Sequence, residues 1–516
     1  MRTPSKYLVA LATALALFPV GLDSMIVSVA IVPISHALHT NVDVVQWIII
    51  GYLLANAAVT PLSGYLGNRL GVKRLFLLGI GLFALFSFLC GVATDETWLI
   101  AFRVLQGLGG GFMMPLGVAL ALAQFPEKER AKGLAVVALP ILLAPVLGPI
   151  MGGLIIDSLS WQAIFFVNVP IGAAALFVNW LVVPADTAPD RSARSTFDVL
   201  GLALSMIGVV LVVYAFKLVG QVDPSTRTAL RPDGSLYGWG YWLVWLLMGI
   251  GVVLLALFAV HALRSVDPVL DLRLFRDRNF TLSNLAGWVQ ATLTFGILFL
   301  VPVYLQQIRV PSLSPLRTGL ALLPLGLGTV VGVVLATRLY RPAGVRLLVV
   351  GGGVLTALAS WRLATVGPTT SIGAMSPWLA LIGVSATLLA LPTNTLALQP
   401  LTGEALNKGT SLFTAAKLLF GAIGPAVLET YFRQQTVWHA NRLDAALAQA
   451  HGAAGVQART LLAAQAGSSA LHDVFVVLTW ISLVIIGVGL FLPGRAAAVP
   501  QAAANQHVPE TAPVSL

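Results

Sequence analysis

Asp23 is the lone charge in a long apolar stretch, Tyr7 to Ile34. Arg103 holds the same kind of position between Thr97 and Leu122, and Lys417 and Glu429 share a third apolar run, Gly409 to Tyr431. If such stretches cross a bilayer, each charge costs roughly 2.5–3.5 kcal/mol to insert and must be matched or used. A carboxylate in a low-dielectric span can be discharged by binding a proton, whereas a guanidinium keeps its charge. Placed together, Arg103 would hold Asp23 ionised until substrate or conformation separates them, letting it bind a proton; a static structural ion pair is the alternative. On a straight helix Asp23 sits about 24 Å, and Arg103 about 21 Å, above the inner face of a core about 30 Å thick, so the two can be level. Lys417 lies about 12 Å above the inner end of its span, too deep to reach the membrane interface easily. It is a candidate second charge or a tether for an anionic substrate. Glu429, Lys217 and Arg362 lie near outer ends, where snorkelling explains them. Asn56, Trp288, Gln290 and Asn394 are mid-span candidates for a substrate cavity wall, and hydrogen bonding between helices accounts for each equally well.

The chemistry of enzymes finds little support. His36, His39 and Asp43 form a loose cluster in one short loop, read as polar loop residues rather than metal ligands. There is no His-Glu-x-x-His and no phosphate-binding Gly-Lys-Ser/Thr loop, so ATP does not drive this chain directly. The single cysteine, Cys90, lies in an apolar run and can form neither an intrachain disulfide nor a metal site alone. No cofactor and no metal are expected.

The elements that must position these residues follow from composition. Apolar residues make up 58% of the 516 positions and charged residues 10%, against about 25% charged in a typical soluble domain. A chain so poor in charge needs lipid as its solvent. The net charge of +10 sits in short clusters between apolar runs, which argues for cytoplasmic loops and against a nucleic-acid partner. Arg2 and Lys6 before the first apolar run imitate a secretory leader. That run continues through Pro19 and Asp23, longer than the 7–15 residues of a leader core, and is read as a retained span.

Fourteen spans are expected, at 7–34, 45–66, 75–93, 97–122, 133–156, 164–183, 199–219, 239–262, 280–304, 318–339, 347–366, 378–398, 409–431 and 471–493. They group as six, two and six. With the N-terminus inside, inner segments hold 19 of the 30 Lys and Arg and outer segments seven, which places both termini in the cytoplasm. Two outer segments are long: 220–238 reads as loop, and 432–470 as a short helical hairpin that a periplasmic adaptor could use. The Ala- and Pro-rich tail is expected to be disordered.

The two sixes carry a faint repeat. Gly67-Asn68-Arg69-Leu70-Gly71-Val72-Lys73-Arg74 follows the second span, and Thr337-Arg338-Leu339, Arg341 and Gly344-Val345-Arg346 follow the tenth. Duplicated bundles about a central site are how alternating-access carriers are built, which favours a carrier over a pore.

Five segments, in order and on the matching spans, resemble the major facilitator superfamily and within it the 14-span drug:proton antiporters of the EmrB/QacA type. They are Leu22–Ala30 with Pro33, Gly64–Arg74, Arg103–Gly109, Pro145–Gly153, and Trp161 with Phe165–Gly172. The second half resembles the family mainly through span count and Leu270–Asn284. The resemblance implies an all-α polytopic membrane protein with the major facilitator fold: a six-helix bundle over 1–184, a linker with two additional helices over 185–265, a second bundle over 266–495, and a tail over 496–516. It further implies a proton-coupled antiporter of a bacterial inner membrane that exports small amphiphilic or hydrophobic compounds. An exporter of an endogenous lipid, siderophore or metabolite is the nearest alternative, and a membrane-embedded enzyme a remote one. Partners would be the substrate, protons and the bilayer.

The resemblance also assigns roles. Gly64, Asn68, Arg69, Gly71, Lys73 and Arg74 would form the loop that latches one conformation, although Asn68 stands where the family has Asp. Gly148, Pro149, Gly152 and Gly153 would form the antiporter motif, a close-packing seal between bundles, with Ala144 where the family often has another glycine.

Overall fold

The structure, a computed structural model, describes residues 5–126, 129–186, 198–223, 235–265, 268, 270–401, 403–449 and 456–494. The apolar runs form long helices: α1 (Lys6–Ala37), α3 (Trp47–Leu70), α4 (Val72–Gly91), α5 (Glu96–Leu122), α6 (Arg130–Ser158), α8 (Asn168–Val182), α9 (Val199–Gly220) and α10 (Trp242–Arg264). Then come α11 (Arg278–Val303), α12 (Pro315–Ala364), α13 (Ile372–Leu398), α14 (Gly403–Gln449) and α15 (Val456–Leu490). Two single turns, α2 (Val42–Val45) and α7 (Ala163–Phe166), lead into α3 and α8. Polar side chains at loop ends start several helices: Asp95 accepts from the Trp98 N–H, Asp277 from Phe280 and Ser371 from Ala374, satisfying donors that have no partner within the helix.

Among the described residues twelve helices are long and apolar enough to cross a membrane. One of them, α12, has 50 residues. Drawn straight it would run about 75 Å, more than twice a hydrocarbon core. It breaks at Gly344, whose φ of 75° lies in the left-handed region, and so contains the expected tenth and eleventh spans as two arms. Beyond the twelve, α6 carries a shorter apolar helix, Leu143–Ser158.

Two expectations change. Residues 432–470 do not make a separate hairpin: where described, they extend α14 and α15. The 220–238 segment is not wholly loop, since Val222–Asp223 pairs antiparallel with Ser235–Leu236. Expectations for 187–197 and the tail from 495 lie outside the described residues.

The first bundle packs α1 on α6 and α8, α3 on α5, and α4 on α5 and α8. The second packs α12 on α13 and α15, and α11 on α13 and α14. Helices α9 and α10 lie against each other, and α9 rests on α14. The bundles meet along α6–α12 and α3–α14. Outward faces expose Trp98, Phe177, Trp180, Trp242, Leu257 and Trp480, a density of large apolar groups suited to lipid rather than water.

Candidate functional site: a buried ion pair, a glycine-lined seal and a capped loop

Asp23 on α1 and Arg103 on α5 meet inside the first bundle. Arg103 Nη1 lies 2.5 Å from Asp23 Oδ2, with both side chains 1% exposed. Sequence identified both members. It did not identify what surrounds them. Asn168 Nδ2 donates to Asp23 Oδ1 at 3.0 Å and Gln106 Nε2 at 3.4 Å, so three side chains serve one carboxylate. Arg103 in turn donates to Gln106 Oε1 at 2.8 Å and to the Ile48 carbonyl at 3.1 Å, and lies 4.4 Å from the Tyr52 ring. Asn168 reaches Ser87 Oγ at 3.2 Å, and Ser87 donates to the Phe165 carbonyl. Four helices, α1, α4, α5 and α8, thus converge on one charge. A buried charge is tolerated only when paired and hydrogen-bonded, as here. Every hydrogen-bonding partner of Asp23 belongs to the first bundle.

The glycines of α6 make two contacts. A Cβ added at Gly148 would strike Met25, and one at Gly152 would lie 2.9 Å from Val29 Cγ2 and 3.0 Å from the Ile26 carbonyl, both on α1. Gly153 faces the other way. Its Cβ would meet the Pro315 carbonyl and lie 2.6 Å from Leu316 Cα on α12, in the other bundle. Two glycines of α12 answer it: a Cβ at Gly319 would strike the Pro149 carbonyl, and one at Gly326 would lie 2.6 Å from the Pro145 carbonyl. Asp157 Oδ2 accepts from the Leu316 N–H at 3.2 Å beside them. The bundles therefore touch backbone to backbone at the end that charge bias places outside. Gly319 and Gly326 were not singled out in the sequence, although seven residues, or two turns, place them on one helix face.

In the loop between α3 and α4, Gly71 adopts φ 97°, and Gly344 takes the same kind of turn in the second bundle, so the faint sequence repeat is also a backbone repeat. The side chain of Asn68 lies outside the described residues. A carboxylate arrives from elsewhere: Asp186, just past α8, accepts from the backbone N–H groups of Lys73 at 2.7 Å and Arg74 at 3.2 Å. Lys73 Nζ then caps the end of α8 through the carbonyls of Trp180 (2.8 Å) and Val183 (2.5 Å). Arg69 lies 4.8 Å over the Tyr65 ring. Gly64 has no neighbour within 4 Å of where a Cβ would stand.

The remaining candidates are scattered. Asn56 is buried within the first bundle, its carbonyl accepting from Thr60 at 2.8 Å. Gln290 is buried in the second, donating to Thr294 at 2.9 Å. Trp288 stacks on Phe420 with ring centroids 4.7 Å apart and 6° between planes. Asn394 is exposed near the inner end of α13. The structure does not gather these four into one wall. Lys417 is half-buried one turn from Phe420, and among the described residues no carboxylate lies within ion-pair distance of it. Arg362 is exposed and stacks over Trp378 at 5.2 Å, as an interfacial residue does. Glu429 and Lys217 are not snorkelling. They are 6% and 7% exposed, at an outer contact where Gln46 Nε2 donates to Glu429 Oε2 at 3.1 Å.

Known proteins resolve what this architecture is. The family model described as Major Facilitator Superfamily matches residues 13–425. The chain belongs to the major facilitator superfamily. It is thus a multi-pass membrane transporter and not an enzyme. Within the superfamily it is 32% identical to the multidrug export protein EmrB of Escherichia coli strain K12, covering 83% of this chain and 80% of that protein. It is 30% identical to the tetracenomycin C resistance and export protein of Streptomyces glaucescens, over 81% of this chain and 74% of the relative. It is also 30% identical to the fatty acid resistance protein FarB of Neisseria gonorrhoeae, over 84% and 82%. Among solved structures, a bacterial homologue of the human lysosomal transporter Spinster, inward-facing and unoccupied, superposes with a TM-score of 0.59 at 16% identity, covering 95% of this chain and 97% of that one. That likeness concerns the major facilitator fold alone.

Proposed function

We propose that this major facilitator transporter is a proton-coupled antiporter that exports small amphiphilic compounds across a bacterial inner membrane by alternating access. The observation that carries the reading is Asp23: a fully buried carboxylate held by Arg103, Asn168 and Gln106. A structural ion pair gains little over apolar packing, so a charge maintained at that cost is better explained by a cycle that uses it. The relatives named for multidrug and tetracenomycin C export support the direction of transport. Counting two spans in α12 and one in α6 gives fourteen, as six, two and six. The units are 1–184, a linker over 185–265, 266–495, and a tail over 496–516. An adaptor would dock on the extensions of α14 and α15 around 432–470.

The test uses charge removal in two steps. Asp23→Asn leaves Arg103 buried without its counter-charge, which should cost about 3–5 kcal/mol of stability and stop proton-driven efflux together. The double variant Asp23→Asn/Arg103→Gln removes both charges. It should regain much of the thermal stability yet still fail to drive substrate uphill in everted vesicles carrying a pH probe. Uphill transport by the double variant at the normal rate would disprove the coupling role.

A second reading keeps the mechanism and changes the cargo. Lys417 is a deep cation with no carboxylate partner among the described residues, one turn from Phe420, which stacks on Trp288, an arrangement suited to an anionic amphiphile such as a fatty acid. The relative FarB is named for fatty acid resistance. Lys417→Met should then weaken export of anionic amphiphiles at least tenfold and spare cationic ones. Equal loss for both cargoes would remove the second reading.

A further inference from the structure

We propose that the outer end of this transporter is closed by a four-charge gate, Asp43, Lys217, Glu429 and Arg433, in which the linker helix α9 supplies a working charge. The inference rests on the alternating-access reading and extends it to a helix outside both bundles.

Three parts of the chain contribute. Asp43, Gln46 and Trp47 come from the turn at the start of α3, in the first bundle. Glu429 and Arg433 stand one turn apart on α14, in the second. Lys217 comes from the last turn of α9. Arg433 Nη1 lies 2.7 Å from Asp43 Oδ2 across the bundle interface, and Gln46 donates to Glu429 beside it. Lys217 Nζ sits 4.9 Å over the ring of Trp47, the residue after Gln46, which holds Glu429. Thr430 Oγ1 donates to the Phe216 carbonyl at 3.1 Å, tying α14 to α9. Asp43 and Arg433 pair directly, Glu429 is held by Gln46 and Lys217 lies over Trp47, so two carboxylates and two cations gather at one seam.

Several features mark this as a contact made to be broken. Asp43 Oδ1 and Gln46 Oε1 are buried and take no hydrogen bond from a protein group, so the contact between the bundles leaves acceptors that water can serve. A cavity of about 360 Å3 adjoins the cluster, lined by Asp43, Glu429 and Arg433 with His36, Gln307 and Phe432. Asp43, Glu429, Arg433 and Gln307 in that lining can bind water, which can take over the hydrogen bonds as the bundles part. A permanent interface is served as well by apolar packing. One that must be rewetted in every cycle needs groups soluble in both states.

The division of charge explains the part played by α9. It packs on α14, so Lys217 moves with Glu429 and Arg433 when the outer end opens. That leaves a net positive face on the second bundle and Asp43 alone on the first. The attraction between them draws the gate shut, and Lys217 supplies the excess charge.

Spin labels at Ser160→Cys in the first bundle and Thr369→Cys in the second, in a Cys90→Ala background, report the outer separation by electron–electron double resonance in lipid nanodiscs. Asp43→Asn, Arg433→Gln and Lys217→Met should each move the main population to longer distances. Lys217→Arg should not. The charge exchange Asp43→Arg/Arg433→Asp should restore the short distance, which a packing defect would not allow. The proposal fails if the single variants leave the distribution unmoved, or if a well-folded exchange variant stays open. An unmoved distribution in Lys217→Met alone removes α9 from the gate. A parent protein whose distance stays fixed across pH and substrate would instead overturn the alternating-access reading beneath it.

Discussion

At the scale of single residues, sequence is most legible where physics forbids a residue without a reason. Asp23 and Arg103 were recoverable because a lone charge in a span is costly. Asn168, Gln106 and Ser87 were not, because an uncharged polar group in a helix has many cheap explanations. Asp43 was set aside as an ordinary loop residue, since its partner Arg433 lies 390 positions away in sequence and no local pattern links them. The Gly71 loop takes its carboxylate from a distance. Asn68 lacks the family's carboxylate, and Asp186 brings one to the first N–H groups of α4. Loss of such a cap costs about 0.5–2 kcal/mol, so Asp186→Ala should lower the melting temperature, with Asp186→Asn intermediate. Gly71→Ala should cost more, because a left-handed φ strains any side chain by roughly 1–2 kcal/mol and the new Cβ would strike the Asp186 carboxylate. Combining the two should therefore cost less than their sum. Additive losses in thermal melts of the purified protein would show that the two residues do not press on one another.

At the scale of helices, the apolar runs set the spans, and boundaries failed where polarity changes without a break in the helix. Residues 432–470 looked like an independent hairpin because their composition turns from apolar to Ala and Gln, yet Ala and Gln are good helix formers and α14 runs on through them. The glycine cluster on α6 was legible, but not its two-sidedness, since the direction each glycine faces depends on where neighbouring helices lie. That difference separates two variants. Gly152→Leu presses on α1 within one bundle, so overpacking of about 1–3 kcal/mol should appear as lost stability. Gly153→Leu presses on Pro315 and Leu316 across the bundle interface. It should lower transport sharply, open the outer end to impermeant maleimides, and cost less stability, because the bundles can separate to relieve it. Paired melting and outer-side labelling of both variants would check this. If Gly153→Leu melts early with no gain in accessibility, the α6–α12 contact is fixed packing rather than a moving seal.

At the scale of the whole molecule, run lengths and the bias of Lys and Arg lead to the expected six, two and six, because membrane insertion acts on just those quantities, while twelve helices among the described residues are long and apolar enough to cross. The match between Gly71 and Gly344, both left-handed at the same place in the two bundles, adds what composition could not: the halves repeat a backbone as well as a charge pattern. Which residues meet across the bundles was not legible, even at Gly153 where the resemblance implied a contact, since pairs such as Gly153–Leu316 or Asp43–Arg433 join residues with no periodic relation. The linker pair is the decisive element for topology. If α9 and α10 both cross, Gly240 faces outside with Gly373, while Ser265 and Ala343 face inside. If the pair lies flat on the inner surface instead, Gly240 joins the inner set and the other three keep their sides. No atom lies within 4 Å of where a Cβ at Gly240 or Gly373 would stand, so cysteine there should perturb nothing. In a Cys90→Ala background, an impermeant maleimide on intact cells should label Gly240→Cys and Gly373→Cys, and should label Ser265→Cys and Ala343→Cys only after permeabilisation. Protection of Gly240→Cys on intact cells with labelling of Gly373→Cys would reduce the count to twelve spans. It would also withdraw Lys217 from the outer gate, because its helix would then lie on the wrong side of the membrane.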